Sequence, residues 1–387
     1  MKSLLNNFKI IFEVLTKKQK KFFQIIILLT FVSILLDLIG IGLFIPIINV
    51  LFNQELYLQE NITNNYVSFL SEFSEMNIYI LIFIPLITVF FLKTIFQIFF
   101  IWIQNLFVNQ ILYTQSTSLY NLYIRQDFIF HSEIEISAAV RNILSEVNNF
   151  QYYVLHLINF IVEASLIIII FVFLVLFEPV ITISTFVFFS FFTLLFYILT
   201  KSSFNKWGEA KIYHSNLFIK QLLNGFSGIK EIKIFRVENR FADIYGKNIK
   251  KYSNYILLTS FFSSIPKIII EFLAIILMSI ILLFFIQTGQ DTNTAIAKLA
   301  IFAMIIFRLM PSFNRLNFAL HNLKTLSPSI ITVSNEFTNL RKNLSDISSN
   351  KELSKKEYNF NNHIKFKNLS FKYKNTQKFI FKNLNLI

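Results

Sequence analysis

The sequence predicts an all-α membrane protein with six bilayer-spanning helices, followed near its C-terminal end by two β-strands. Of the 387 residues, 55% are hydrophobic and only 15% are charged, whereas a soluble domain averages about 25% charged residues. The apolar residues form six runs of the length that a helix needs to cross a bilayer, about 20 residues. The Lys and Arg residues lie mostly between these runs. These features together indicate that lipid surrounds much of the chain.

The six spans can be placed from the hydrophobic runs alone. Helices are expected rather than strands, because each segment in lipid must satisfy its own backbone hydrogen bonds. The first run is too long for a cleaved signal peptide and precedes no small-residue cleavage site, so it is retained as a span. The predicted spans are Phe22–Phe52, Ile78–Ile103, Val154–Phe177, Val180–Leu199, Phe261–Ile286 and Ala295–Phe318.

The charges of the connecting segments predict the orientation. Residues 1–21 contain six Lys, Lys201–Tyr255 is rich in Lys and Arg, and Leu51–Asn77 has four Glu without Lys or Arg. Basic segments stay on the cytoplasmic side. The connection between spans two and three has about as many acids as bases, and alternation places it inside. We therefore expect a multi-pass membrane protein with both termini cytoplasmic. The bias towards Phe, Ile, Asn and Lys resembles that of AT-rich bacterial genomes, so the expected location is the bacterial inner membrane.

The connections themselves suggest an architecture. The outer segment Leu51–Asn77 has the apolar spacing of an amphipathic helix. The two inner connections, each about 50 residues long, are expected to continue the membrane helices and turn back, since structured loops of that length are usually functional. The segments Ile364–Tyr373 and Phe379–Ile387 alternate as strands. The predicted regions are 1–21 (cytoplasmic segment), 22–325 (six-span domain), 326–362 (linker) and 363–387 (start of another domain).

Several segments resemble type I ABC exporters over essentially the whole chain. Gly228–Lys233 reads Gly-Ile-Lys-Glu-Ile-Lys and is similar to the segment near that family's second coupling helix. The resemblance implies coupling roles for Gly228, Lys230 and Glu231, with coupling helices near Phe130–Ala139 and Leu222–Ile232. It also implies a homodimer that uses ATP and Mg. The tail resembles the opening strands of the ATPase domain, where Tyr373 would stack on adenine.

Two further segments resemble the PglK-like family of bacterial lipid-linked oligosaccharide flippases. Phe307–Arg315 carries the family's sixth-span segment, and Ser264–Glu271 is similar to its fifth-span segment, with Lys267 in place of Arg. This resemblance implies a lipid-linked oligosaccharide pyrophosphate as substrate. It also implies that basic residues in the spans engage the pyrophosphate.

The motifs for ATP hydrolysis are missing from the sequence. A P-loop needs Gly residues whose backbone amides approach the phosphates closely, and no Gly follows Gly289. We therefore expect no ATPase activity from this chain alone. Its end within the ATPase-like segment predicts truncation before the Walker A motif, with a separate ATPase chain as the alternative.

Four basic residues inside the predicted spans are candidate substrate ligands: Lys93, Lys267, Arg308 and Arg315. A cation near the bilayer centre costs at least about 2.5–3.5 kcal/mol, so it needs a purpose. One purpose is to bind an anionic headgroup, since Arg binds phosphate oxygens bidentately. The other is to neutralise acids of the spans: Glu271 could pair with Lys267, while Asp37 and Glu163 could take Lys93 or Arg308. The residues alone favour neither reading.

Composition excludes several function classes. The absence of Cys excludes disulfides, thiolate metal ligands and a cysteine nucleophile. The five His residues lack the spacing of a metal site. The net charge is +14, but the Lys and Arg residues that produce it lie mostly between the spans. The charge therefore does not indicate a nucleic-acid partner. The alternatives to flippase function are an exporter of another substrate, such as a peptide or drug, and a fragment or membrane scaffold without a motor.

Overall fold

The structure is a computed structural model that describes residues 2–52, 78–176, 179–287, 292–351, 364–372 and 378–386. The chain divides into two compact units, Met1–Arg341 and Lys342–Ile387. The first unit is helical, and the second contains a small sheet. The outer segment predicted as an amphipathic helix lies largely outside the described residues, as does Tyr373.

Long helices dominate the first unit. Five predicted spans lie within one helix each, and the third, Val154–Phe177, is helical as far as Val175. Four helices continue far beyond the predicted spans, as expected for the inner connections. The first five helices are α1 (Lys2–Val14), α2 (Lys17–Phe52), α3 (Ile78–Ile124), α4 (Phe128–Glu133) and α5 (Ile136–Arg141). A π-helical turn, Asn142–Glu146, follows. The remaining helices are α6 (Val147–Val175), α7 (Pro179–Ser227), α8 (Ile229–Phe235), α9 (Glu238–Gln287) and α10 (Thr292–Lys351).

Five helical segments among the described residues are long and apolar enough to cross a membrane. They are Lys17–Gly40, Phe83–Ile124, Ile136–Phe173, Thr182–Ser227 and Glu238–Leu283. The sixth predicted span, Ala295–Phe318, lies in α10, where many of its side chains are outside the described part. The chain is thus a multi-pass membrane protein with the predicted all-α fold.

Two apolar clusters hold the helices together. The first joins α1, α2, α3, α6 and the C-terminal half of α10, around the fully buried Phe107, Phe150 and Tyr153. The second joins α2, α6, α7, α9 and α10, around side chains such as Leu166, Phe189 and Ile306. Three helices, α2, α6 and α10, contribute to both clusters and so connect them.

The helices α7 and α10 approach each other closely at Gly208. A Cβ atom placed on this residue would lie 2.3 Å from the backbone oxygen of Thr325. Real Cβ atoms essentially never come this close to backbone, so only Gly allows the two helices to pack at this separation.

The second unit contains an antiparallel pair of strands, β1 (Phe366–Phe371) and β2 (Phe381–Leu386). Phe366 lies opposite Leu386, and Phe371 lies opposite Phe381, with register shifts between these pairs. Asn368 and Asn383 have positive φ angles of 53° and 54°, a conformation that Asn adopts more readily than most residues. The two predicted strands are therefore present and pair with each other.

Candidate functional site

The predicted intramembrane cations lie on three helices. Lys93 is on α3, Lys267 is on α9, and Arg308 and Arg315 are on α10. The side chain of Arg308 is outside the described part of the chain. The other three each lie near an acidic side chain. For each of them, the structure therefore bears on whether the cation neutralises that acid or remains available to a substrate.

Lys93 forms a buried ion pair. Its Nζ lies 2.6 Å from a carboxylate oxygen of Asp37 on α2, and the two side chains are 12% and 1% exposed. The ammonium also lies 5.0 Å from the ring centroid of Phe90, within the range of a cation–π contact. This arrangement matches the neutralising alternative for Lys93 and leaves its substrate-binding role a prediction.

Arg315 binds Glu163 with two hydrogen bonds. Its Nε and Nη2 donate to the two carboxylate oxygens of Glu163 on α6, with an Nη2–Oε2 distance of 3.3 Å. The same Nη2 lies 3.4 Å from the hydroxyl of Ser312. The carboxylate is buried, whereas the Arg315 side chain is 51% exposed. The guanidinium therefore has donors that can reach a further ligand.

Lys267 lies in the most open position of the three. Its Nζ is 4.0 Å from Glu271, one turn along α9, and its side chain is 68% exposed. The 4.0 Å separation and this exposure leave the Lys267 ammonium open to contact with an anionic ligand.

The pairing could be predicted only in part from the sequence. The spacing of Lys267 and Glu271 reveals their pair, and Asp37 was a candidate partner for Lys93. Glu163 pairs with Arg315, a partner that the sequence analysis did not name for it, because the rotation of α10 against α6 brings these two side chains together. Neither hydropathy nor residue spacing predicts how these two helices are rotated against each other.

The turn between α7 and α9 contains the predicted coupling residues. Gly228 precedes the short helix α8, with φ −99° and ψ 24°, and a Cβ there would lie 3.1 Å from the carbonyl oxygen of Asn224. Arg236 ends α8 in the left-handed conformation. An ion pair of 3.0 Å between Lys233 and Glu238 joins α8 to α9. Lys230 and Glu231 lie in the first turn of α8, so the three candidate coupling residues are adjacent.

The connection between α3 and α6 contains two short helices, α4 and α5. Asp127 caps α4 by accepting a hydrogen bond from the backbone N–H of Phe130 at 2.9 Å. Glu135 lies 2.7 Å from the ammonium of Lys220 on α7. The hydrogen bond from Lys220 holds the pKa of Glu135 below its usual value, with a smaller contribution from Ser137. This pair links the two inner connections.

The Glu135–Lys220 pair predicts a pH-dependent local stability. Because the folded pKa is lowered, the pair stabilises the connection at neutral pH and is lost as pH falls through that pKa. We expect Glu135→Gln to accelerate amide hydrogen exchange in residues 134–141 by up to about fivefold at pH 7, the range for an exposed pair. Exchange mass spectrometry checks this. An equal difference between variant and wild type below the pKa would contradict the assignment.

Large apolar side chains are exposed at both inner turns. Phe128 is 85% exposed, and Phe226 and Phe235 are each 72% exposed. Phe226 lies about 40 Å along the helix axis from Leu199, the end of the predicted span, at 1.5 Å per residue. Lipid does not extend that far beyond a span, so the apolar side chains exposed at the two turns are suited to contact a protein partner. We call this set of side chains the turn surface, made of Phe128, Phe226, Ile229, Ile234 and Phe235.

Comparison with known proteins supports the fold. No family model matches the sequence. The structure is similar to that of a bacterial Atm1-family ABC exporter with ATP bound, with a TM-score of 0.60 and 11% sequence identity. The match covers 95% of this chain and 61% of the exporter chain. The chain therefore has the fold of an ABC exporter's membrane region and spans about three fifths of that neighbour's length.

Proposed function

We propose that this chain is the membrane-spanning subunit of an ATP-driven ABC exporter, and that its substrate is a lipid-linked anion such as an oligosaccharide pyrophosphate. Two copies would form the transport pathway in the bacterial inner membrane. An ATPase domain, on a longer form of this chain or on a separate one, would supply ATP and Mg chemistry. The turn surface is the observation that carries the exporter assignment.

The turn surface supports a mechanical role. It presents apolar side chains on short helices at the ends of long, stiff helices, where an ATPase domain can press against them. The Glu135–Lys220 pair joins the α3–α6 connection to α7, so movement at one turn would be transmitted to the other. Gly228, Lys230 and Glu231 would set the shape of the second turn. Tyr373 remains the predicted adenine-stacking residue.

The cations support an anionic substrate. Arg315 is half exposed while it holds Glu163, and Lys267 is exposed. Arg308 precedes Arg315 by seven residues, two turns of α10, and so lies on a similar side of the helix. A pyrophosphate could accept hydrogen bonds from the two guanidinium groups while Lys267 adds a point charge. Lys93 would serve mainly to neutralise Asp37.

A cross-linking experiment tests the exporter assignment. The chain has no Cys, so Phe235→Cys creates a unique thiol on the turn surface. In native membranes, a short thiol-reactive cross-linker on this variant is expected to capture a polypeptide that contains a P-loop, identified by mass spectrometry. Lys250→Cys, exposed on α9 away from the turn, is the control. Capture of no P-loop polypeptide, or equal capture by both variants, would oppose the assignment.

A binding experiment tests the substrate class. The purified chain in nanodiscs is expected to bind undecaprenyl pyrophosphate at least tenfold more tightly than phosphatidylglycerol, measured by native mass spectrometry. The double variant Arg308→Gln, Arg315→Gln should lose at least tenfold of the affinity for the pyrophosphate. The double variant Lys247→Gln, Lys250→Gln, which removes two exposed cations of α9, is the charge-matched control. Unchanged affinity in the double variant would instead favour a peptide or drug substrate.

A further inference from the structure

A polar cavity of about 140 Å³ lies between the start of α6, α7 and α9. The volume is enough for several water molecules or a small solute, since one water needs roughly 10–15 Å³ of such space. Its lining is mostly polar and includes Ser145, Glu146, Asn148, Lys211, Ser215 and Tyr252. The exposed Leu144 also lines it, so the cavity reaches the surface. The cations proposed to bind the lipid substrate are not among its lining residues.

Glu146 is one of the residues that line this cavity, and its carboxylate is buried. The residue ends the π-helical turn Asn142–Glu146, and such turns are frequent at functional sites. Its side chain is 1% exposed, and Oε1 lies 3.6 Å from Nε of Arg141. The second oxygen, Oε2, is buried and has no hydrogen-bond partner among the described residues. A buried carboxylate oxygen is costly without a donor, so Oε2 is suited to accept a hydrogen bond from a ligand.

The opposite charge comes from α7. Lys211 lines the cavity with its ammonium 6.0 Å from the ring centroid of Tyr252 on α9. Lys211 and Tyr252 both lie within electrostatic range of Glu146. The cavity therefore offers an ammonium group, a carboxylate oxygen that lacks a donor and several neutral hydrogen-bonding groups. Its charged lining is complementary to a ligand that carries both signs of charge.

We propose that this cavity binds a small amino acid. The ligand's carboxylate would pair with Lys211, with hydrogen bonds from Tyr252 or Asn148, and its ammonium group would donate to Oε2 of Glu146. A ligand with only one of these charges would leave one side of the site without a partner. Because the three walls belong to α6, α7 and α9, the bound amino acid would join the two inner connections.

The test measures binding of tritiated L-serine to the purified full chain in nanodiscs by scintillation proximity. Saturable binding is expected for the wild type. Unlabelled propionate and ethanolamine, which each carry one of the two charged groups, should compete at least tenfold more weakly than unlabelled serine. Lys211→Met should weaken serine binding at least tenfold. Glu146→Gln should reduce the preference for serine over propionate, because the charge that receives the ammonium group is removed.

Matched controls separate this site from general electrostatics. Lys250→Met removes a Lys from the exposed side of α9 and should leave serine affinity unchanged, and circular dichroism checks that each variant is folded. The proposal is overturned if folded wild-type chain shows no saturable serine binding. It is also overturned if propionate competes as well as serine, or if Lys250→Met and Lys211→Met have equal effects.

Discussion

Gly208→Ala is expected to destabilise the chain by about 3 kcal/mol, the upper part of the range for overpacking a filled interior. The added Cβ would lie 2.3 Å from the carbonyl oxygen of Thr325 and 3.2 Å from its Cα. Because these atoms belong to the α10 backbone, the contact cannot be relieved by a side-chain rotation, and the helices must separate. Thermal unfolding in detergent, followed by the fluorescence of the neighbouring Trp207, measures the effect.

Gly246→Ala is the matched control for this change. Gly246 is also inside a long helix, α9, but a Cβ there would meet nothing within 4 Å. Replacing a helical Gly by Ala where space is open stabilises by roughly 0.5–1 kcal/mol. The two variants should therefore shift the unfolding midpoint in opposite directions. Equal shifts would mean that the close approach of α7 and α10 is not required.

Arg315→Met should cost about 3 kcal/mol, the lower end of the range for breaking a buried ion pair. The change removes both hydrogen bonds to Glu163 and leaves that carboxylate buried, since its side chain is 9% exposed. Glu163→Met should cost less, because the half-exposed Arg315 can be hydrated. The unfolding midpoint of each purified variant tests this asymmetry.

The double variant Arg315→Met, Glu163→Met distinguishes pairing from other roles. Replacing a buried ion pair by apolar side chains of similar volume is often neutral or stabilising, so the double variant should recover most of the stability that Arg315→Met loses. It should not recover affinity for undecaprenyl pyrophosphate if Arg315 binds the substrate. A double variant as unstable as Arg315→Met would contradict the predicted coupling between these residues.

Much of the fold could be predicted from patterns within single segments of the sequence. The described residues of the six hydrophobic runs are almost entirely helical, because a backbone in lipid must satisfy its own hydrogen bonds. The two tail strands were also visible as local patterns, whereas the segment at Gly228, beside the short helix Ile229–Phe235, was marked only by its resemblance to the exporter family. The pairing of Lys267 with Glu271, one turn later in the same helix, could also be predicted from their spacing.

Contacts between distant segments could not be predicted in this way. Glu163 and Arg315 are 152 positions apart, and their pairing depends on how α6 and α10 rotate against each other. Glu146 is unremarkable as a sequence position until the π-helical turn brings it to the cavity beside Lys211. The need for Gly at position 208 likewise exists only because α10 passes against it.

The sequence by itself determined that this chain enters a membrane as a set of long helices, since hydrophobicity, length and charge act within each segment. Tertiary structure alone decided which ionisable side chains are paired, which remain accessible and which turn residues are exposed. Those outcomes follow from helix rotation and separation, to which every packed side chain contributes.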